Sequence, residues 1–388
     1  MLILIGLGLA ISAQGRRSGT SIKPGGECPP GMTETRPNIC QAPEFPPPSI
    51  LDYRPRSTLV TTETPVPRAK FPVIDIHGHP PGINTPEGLA RMVAEMDTLN
   101  LRVMTSASNT SGERLTQLLG VINASPHKDR FRVFTGVDFR NVGPGWAERA
   151  VAQLEADIRA GAVGVGEVGK SFGLSIRKRD GTRLKVDDPD LDPIWQAAAR
   201  LDIPMFIHTA EPQEFFSPLD YKNERWLELA LFPDRRNYEP GQVTFEELVT
   251  ERNNLFKRHP KTRFIAAHFG WHANDLERAA ALLDAHPNVV IEAGAILYDL
   301  GRQPRAAHDF FVKYQDRILF GKDAWQPREF PYYWRVFETR DEYFDYYRDY
   351  HAFWKLYGMD LPDQVLKKIY YQNALRVVKG MPRTGWPQ

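Results

Sequence analysis

The sequence predicts an α/β fold, an eight-stranded (β/α)8 barrel behind an irregular Pro-rich N-terminal extension, and three observations carry that expectation. From Phe71 onward, short apolar β-like runs alternate with helix-like segments. Eight such units follow one another, the number that closes a parallel barrel. Polar residues collect where the apolar runs end, as they do at the mouth of such a barrel. The runs cover 71–77, Leu101–Ala107, Phe131–Val137, Ala162–Val168, Ile203–His208, Arg263–His268, Asn288–Ala293 and Arg317–Phe320. Helix starts separate them: Thr85-Pro86-Glu87 supplies a cap and a first-turn proline, and Asp188-Pro189 leads into Leu191–Leu201. A doubly wound open sheet is the alternative, but no Gly-x-Gly-x-x-Gly follows a strand to support it.

Composition sets the outer bounds. The chain has 388 residues, 42% hydrophobic and 25% charged, with a formal net charge of only +1. These are ordinary soluble-protein values, and the charge gives no reason to expect nucleic acid or an anionic membrane as partner. Residues 1–13 read as a signal peptide, with Ile11 and Ala13 at the −3 and −1 positions of a cleavage site before Gln14. No Lys or Arg precedes that apolar run, which a misassigned start or a short membrane anchor would also explain. Export to a periplasmic or extracellular space is the expectation. Residues 14–70 are rich in Pro, Thr and Arg and read as a tether or strap, and 71–382 as the barrel domain. The two cysteines, Cys28 and Cys40, both lie in the extension, where export would let them form a disulfide and a cytosolic chain would keep them as thiols.

The strand ends carry the chemistry. Run one closes with His77-Gly78-His79, whose imidazoles share one face of a strand. Run four ends in Glu167, followed by Lys170; run five ends in His208 and run six in His268; run eight leads through Gly321-Lys322 into Asp323. A single histidine after an apolar strand is usually a hydrogen-bonded core residue, and a lone Asp323 would be a helix cap. Joint placement at five strand ends fits a site for Zn²⁺ or another borderline divalent ion far better. His127, His259 and His286 sit in helix-end contexts and are expected at surface or capping positions.

Asp75-Ile-His77-Gly-His79, Ile207-His208-Thr, Ala267-His268-Phe-Gly and Phe320-Gly-Lys-Asp323 resemble the amidohydrolase superfamily of metal-dependent barrel enzymes. The similarity is to its amidohydrolase-related branch, which contains the aminocarboxymuconate-semialdehyde and resorcylate decarboxylases. The tail Ile369-Tyr-Tyr-Gln-Asn373-Ala-Leu-Arg resembles that branch's closing helix. The resemblance implies metal ligation by His77, His79, His208 and Asp323, with His268 positioning or activating water. Glu167 resembles the strand-four glutamate of TatD-like hydrolases; it fits a bridge between two ions, a substrate contact or a supporting role. The implied cofactor is therefore one or two divalent ions, Zn²⁺ first and Mn²⁺ second.

The expected activity is hydrolysis of an amide, ester or lactone carbonyl of a small molecule, with Asp323 taking a proton from the attacking water and His268 orienting it. The alternatives are a non-oxidative decarboxylase or lyase for a cyclic carboxylate, and a non-catalytic binding protein on a barrel that has kept its ligands. Lys170, His272 and Trp325 are candidate substrate contacts, with helix packing the plainer role for His272. Aromatics in 209–243 and 325–357 suggest a walled pocket, or packing and a homodimer interface; for the later segment packing is favoured.

Overall fold

The structure, a computed structural model, describes residues 19–46, 48–351 and 353–387. The expected signal peptide lies outside these residues. The chain divides into two compact units, 1–59 and 60–388.

The first unit contains a small antiparallel sheet of β1 (Thr20–Ser21), β2 (Thr33–Arg36) and β3 (Ile39–Gln41), in the order β1-β3-β2. A disulfide joins Cys28 to Cys40, with Cα atoms 5.7 Å apart, so the paired reading of the two cysteines holds. Its 12-residue separation makes the closed loop worth about 3 kcal/mol in the chain-entropy account. Cys28→Ser with Cys40→Ser is therefore expected to speed amide exchange over 20–41 by two orders of magnitude or more, leaving 73–324 unchanged. Equal protection in both proteins would contradict this.

The second unit contains the eight expected strands: β4 (Val73–His79), β5 (Leu101–Ser106), β6 (Phe131–Val133), β7 (Val165–Val168), β8 (Pro204–Ile207), β9 (Arg263–Ala266), β10 (Val289–Glu292) and β11 (Ile318–Leu319). A short β12 (Asp323–Ala324) continues the eighth. The strands form two parallel arcs, β12-β4-β5-β6 and β11-β10-β9-β8-β7. A parallel bridge from Thr135 to Val165 joins the arcs on one side. On the other, Ile76 N–H donates to Phe320 O at 3.2 Å, and the ring is closed. The strands end close to the sequence expectation, with β4 running on to His79 and β6 stopping at Val133, four residues short of the expected Val137. The spacing Gly-x-Gly-x-x-Gly does occur at Gly164–Gly169, but it lies along β7 and not at a turn opening a helix.

Local chemistry explains the helices. In Pro86–Leu99, Thr85 caps the first turn by accepting from Gly88 N–H, and Leu89, Met92, Val93, Met96 and Leu99 form the buried stripe. Each such side chain contributes about 2 kcal/mol by burial. Asn100, at φ 63°, ends the helix in the left-handed region. Asp188 caps the short turn Pro189–Leu191 that runs into the helix Asp192–Leu201. His259 and His286 cap helix C-termini, as their contexts suggested.

One difference from the sequence reading matters. Residues 60–70 belong to the barrel unit: Thr64 donates twice to Asp341, at 2.8 and 2.6 Å, and Ala69 is buried. In the aromatic segment after β12, the helix Phe330–Glu338 turns Phe330, Tyr333, Trp334 and Phe337 inward against Phe320 and Tyr370. Much of that segment is core, the packing role that the sequence favours for it. Among the described residues, no helix is long and apolar enough to cross a membrane.

Candidate metal centre

The parallel barrel brings the carboxyl ends of β4, β7, β8, β9, β10 and β11 to one face, and six of the sequence-predicted residues meet there. His77 and His79 lie on β4, with side chains two residues apart on the same side. Asp323 reaches the same point because β12 pairs with β4, Asp323 opposite Gly78. Its backbone is left-handed (φ 79°), a conformation that aspartate tolerates.

Glu167, at the end of β7, is the hub. Its Oε2 lies 3.3 Å from His77 Nε2 and 3.5 Å from His79 Nε2. Its Oε1 lies 2.6 Å from His208 Nδ1 and 3.5 Å from His268 Nε2. Asp323 Oδ1 is 3.5 Å from His79 Nε2 and 3.9 Å from His77 Nε2. Atoms sharing a tetrahedral ion at about 2.1 Å stand roughly 3.4 Å apart, so this set has the spacing of a coordination shell. His77 Nε2 is buried and has no hydrogen-bond partner among the described residues, which a cation would supply. Three overlapping groups have ligand atoms within 4.8 Å of one another: His77, His268 and Asp323; His77, His79 and Glu167; Glu167, His208 and His268. The residues present fit a divalent ion.

Charge inside the cluster is mutually balanced. Burial opposes the His77 imidazolium, but Glu292 and Glu167 outweigh it and hold its pKa well above the usual histidine range. Burial acts the same way on His208, and Glu167 lifts it to about 10. Burial would raise Glu167, yet His77 and His208 hold it well below the usual carboxylate range. Asp323 is likewise kept low, against its burial, by His77 and His268. Such a field is one that a metal dication can occupy in place of protons.

Glu292, which the sequence reading missed, organises the centre from beneath. It is fully buried at the end of β10; Oε1 accepts from His77 Nδ1 at 3.0 Å and from His268 N–H at 2.6 Å, and Oε2 accepts from Gly294 N–H at 2.6 Å. The signal was present: Val289-Val-Ile-Glu292 ends an apolar run in a carboxylate just as β7 does. Asp75, also buried, accepts from the backbone N–H of His77 and Lys322, and burial pushes its pKa up to about 6.

The remaining candidates stand apart from the ligand atoms. Lys170 is exposed and pairs with Glu211 at 3.5 Å, while Glu211 Oε2 lies 3.6 Å from His208 Nε2. His272 is buried beside Arg252 Nη2 at 3.2 Å; burial and the Arg252 and Arg278 cations push its pKa down to about 2, so it accepts a hydrogen bond. Trp325 donates to Glu95 at 3.0 Å and packs on Phe330.

Comparison with known proteins agrees with this architecture. The sequence matches the amidohydrolase family over residues 74–380. A putative amidohydrolase from Staphylococcus aureus is similar in structure over 79% of this chain and 99% of its own, at 18% identity and a TM-score of 0.50. A dihydroxybenzoic acid decarboxylase from Polaromonas, solved with manganese and the inhibitor 2-nitroresorcinol, is similar over 79% and 96% at 15% identity and a TM-score of 0.47. A 4-oxalomesaconate hydratase from Rhodopseudomonas palustris is similar over 79% and 95% at 15% identity and a TM-score of 0.44. With the family match spanning the whole barrel from β4 to the final helix, the chain belongs to the amidohydrolase family of metal-dependent TIM-barrel enzymes.

Proposed function

We propose that the protein is a hydrolase acting on an amide, ester or lactone carbonyl of a small molecule, with one divalent ion, Zn²⁺ before Mn²⁺, held by His77, His79, Glu167 and Asp323. The observation that carries this reading is the 3.3–3.9 Å spacing of their ligand atoms, with the Asp323 side chain 35% exposed at the mouth. A divalent ion bound there lowers the pKa of a water toward about 7 and polarises a carbonyl.

The chain's own groups supply the rest. Asp323, a carboxylate kept ionised by His77 and His268, accepts a proton from the attacking water and returns it to the leaving group. His268 is held by Gly294 O on Nδ1 at 2.9 Å, so its Nε2 faces the centre and orients water or a developing oxyanion. His208 buttresses Glu167 through the 2.6 Å contact on Oε1. That distance is a hydrogen bond, shorter than two ligands of one ion tolerate, and it favours one ion over two.

Metal analysis of the purified protein is expected to give one Zn²⁺ or Mn²⁺ per chain, and Glu167→Gln to lower the affinity by 10- to 100-fold. Two ions per chain would instead make Glu167 a bridge. Screening amides, esters and lactones then tests the reaction. An acid–amine or acid–alcohol pair supports hydrolysis, whereas CO₂ release from a cyclic carboxylate would replace it with decarboxylation.

A further inference from the structure

Four consecutive residues after β9 hold left-handed backbone: His268 (φ 53°), Phe269 (59°), Gly270 (61°) and Trp271 (56°). Only glycine adopts that region freely, and bulky residues remain there only where their surroundings over-determine them. Here they do. Glu292 accepts the His268 N–H, and Phe269 is seated against Phe310 and Phe311 with ring centres 5.3 and 5.8 Å away. Arg252, buried and with no carboxylate in ion-pairing distance among the described residues, donates to Gly270 O at 2.7 Å.

The product of this clamp is the position of one side chain. The Trp271 ring lies 4.5 Å from the His268 ring, inclined by 30°, and 5.5 Å from His208. It is only 8% exposed, yet its Nε1–H has no hydrogen-bond partner among the described residues. Buried indole N–H groups ordinarily find one. Beside it, in the loop leaving β8, the His208 ring has its Nε2 3.6 Å from Glu211 Oε2. Trp271 thus borders the His208–His268 side of the centre with an indole donor that no described residue satisfies.

We propose that Trp271 is a substrate-contacting residue that sets specificity: its indole face walls the pocket beside His268 and His208, and its Nε1–H donates to an oxygen of a flat acyl or carboxylate group. This inference rests on the metal-dependent reading above. A flat group fits because an aromatic face and an in-plane donor reward a planar partner that also accepts a hydrogen bond.

The test uses the Zn²⁺-loaded full chain, labelled with ¹⁵N, whose eight tryptophans give separate indole N–H signals. Trp271→Phe identifies the Trp271 signal by its loss. Benzoate is the planar probe and cyclohexanecarboxylate its non-planar counterpart. The Trp271 indole signal is expected to shift saturably with benzoate, and Trp271→Phe to bind benzoate about tenfold more weakly. Trp271→Leu should lose the preference for benzoate over cyclohexanecarboxylate, with metal content unchanged in both variants. An unmoved Trp271 signal, equal benzoate affinity in Trp271→Phe, or no benzoate binding by the loaded wild type overturns the proposal. Trp271→Phe keeps a ring in the clamp, so it carries the test should Trp271→Leu fail to fold. A wild-type chain that retains no ion would instead overturn the metal-dependent reading.

Discussion

His77→Ala with His79→Ala is expected to abolish metal retention and to lower activity by at least about 10³-fold, the scale of the several kcal/mol that a metal contributes to transition-state stabilisation. The two imidazoles supply half of the four ligand atoms spaced at 3.3–3.9 Å, so their loss leaves only two carboxylates of that set. The two substitutions are not equivalent. His79 is partly exposed and its other nitrogen reaches only Ser108 at 3.4 Å, so His79→Ala removes a ligand with little else. His77 is wholly buried and its Nδ1 serves Glu292, so His77→Ala also strands a buried carboxylate and costs stability. His79→Ala alone is therefore the cleaner diagnostic: reduced metal affinity with a nearly unchanged melting temperature. Because neutral imidazoles are needed for ligation, affinity for the ion should fall as pH is lowered. Retention of a stoichiometric ion and of activity in the double variant would remove the basis for the proposed mechanism.

How much of this was legible in the sequence depended on whether a feature is local. The eight strands were readable because each is a short apolar run broken by a polar residue at the mouth, and His77, His79, Glu167, His208, His268 and Asp323 were readable for the same reason. Glu292 shares that pattern at the end of Val289-Val-Ile, but a lone carboxylate there carries no neighbouring motif to mark it. The turn at 268–271 was not legible, since three of its four residues are not ones that favour left-handed backbone. It exists because Arg252 and Glu292, distant in sequence, hold it. The docking of 60–70 depends on Asp341, 277 residues from Thr64, and no local pattern reports such a contact. The aromatic segment after β12 was ambiguous for a different reason: helix-spaced aromatics serve a core and a pocket wall equally well.

Glu292→Gln is expected to weaken metal binding by 10- to 100-fold and to destabilise the fold by about 1–3 kcal/mol. The carboxylate accepts three hydrogen bonds, from His77 Nδ1, His268 N–H and Gly294 N–H, using both oxygens. A carboxamide offers one oxygen and one NH₂, so whichever way it turns, a donor is set against a donor. The charge matters separately. Glu292 makes the His77 imidazole more basic and holds its Nε2 toward Glu167 and Asp323, and removing it weakens His77 as a ligand. The barrel is cut to admit this group: a Cβ on Gly321 would stand 2.3 Å from Glu292 Oε2 and 2.7 Å from His77 Cβ, and one on Gly294 would stand 2.7 Å from Glu292 Oε2. Gly321→Ala must therefore push Glu292 or His77 aside, and it should lower metal affinity in the same direction without touching any ionisable group. Measuring the ion's affinity and the melting temperature of both variants separates the two effects. Wild-type affinity in Glu292→Gln would mean that the buried carboxylate only fills space, and a loss confined to Glu292→Gln would mean that its charge, not its position, is what His77 requires.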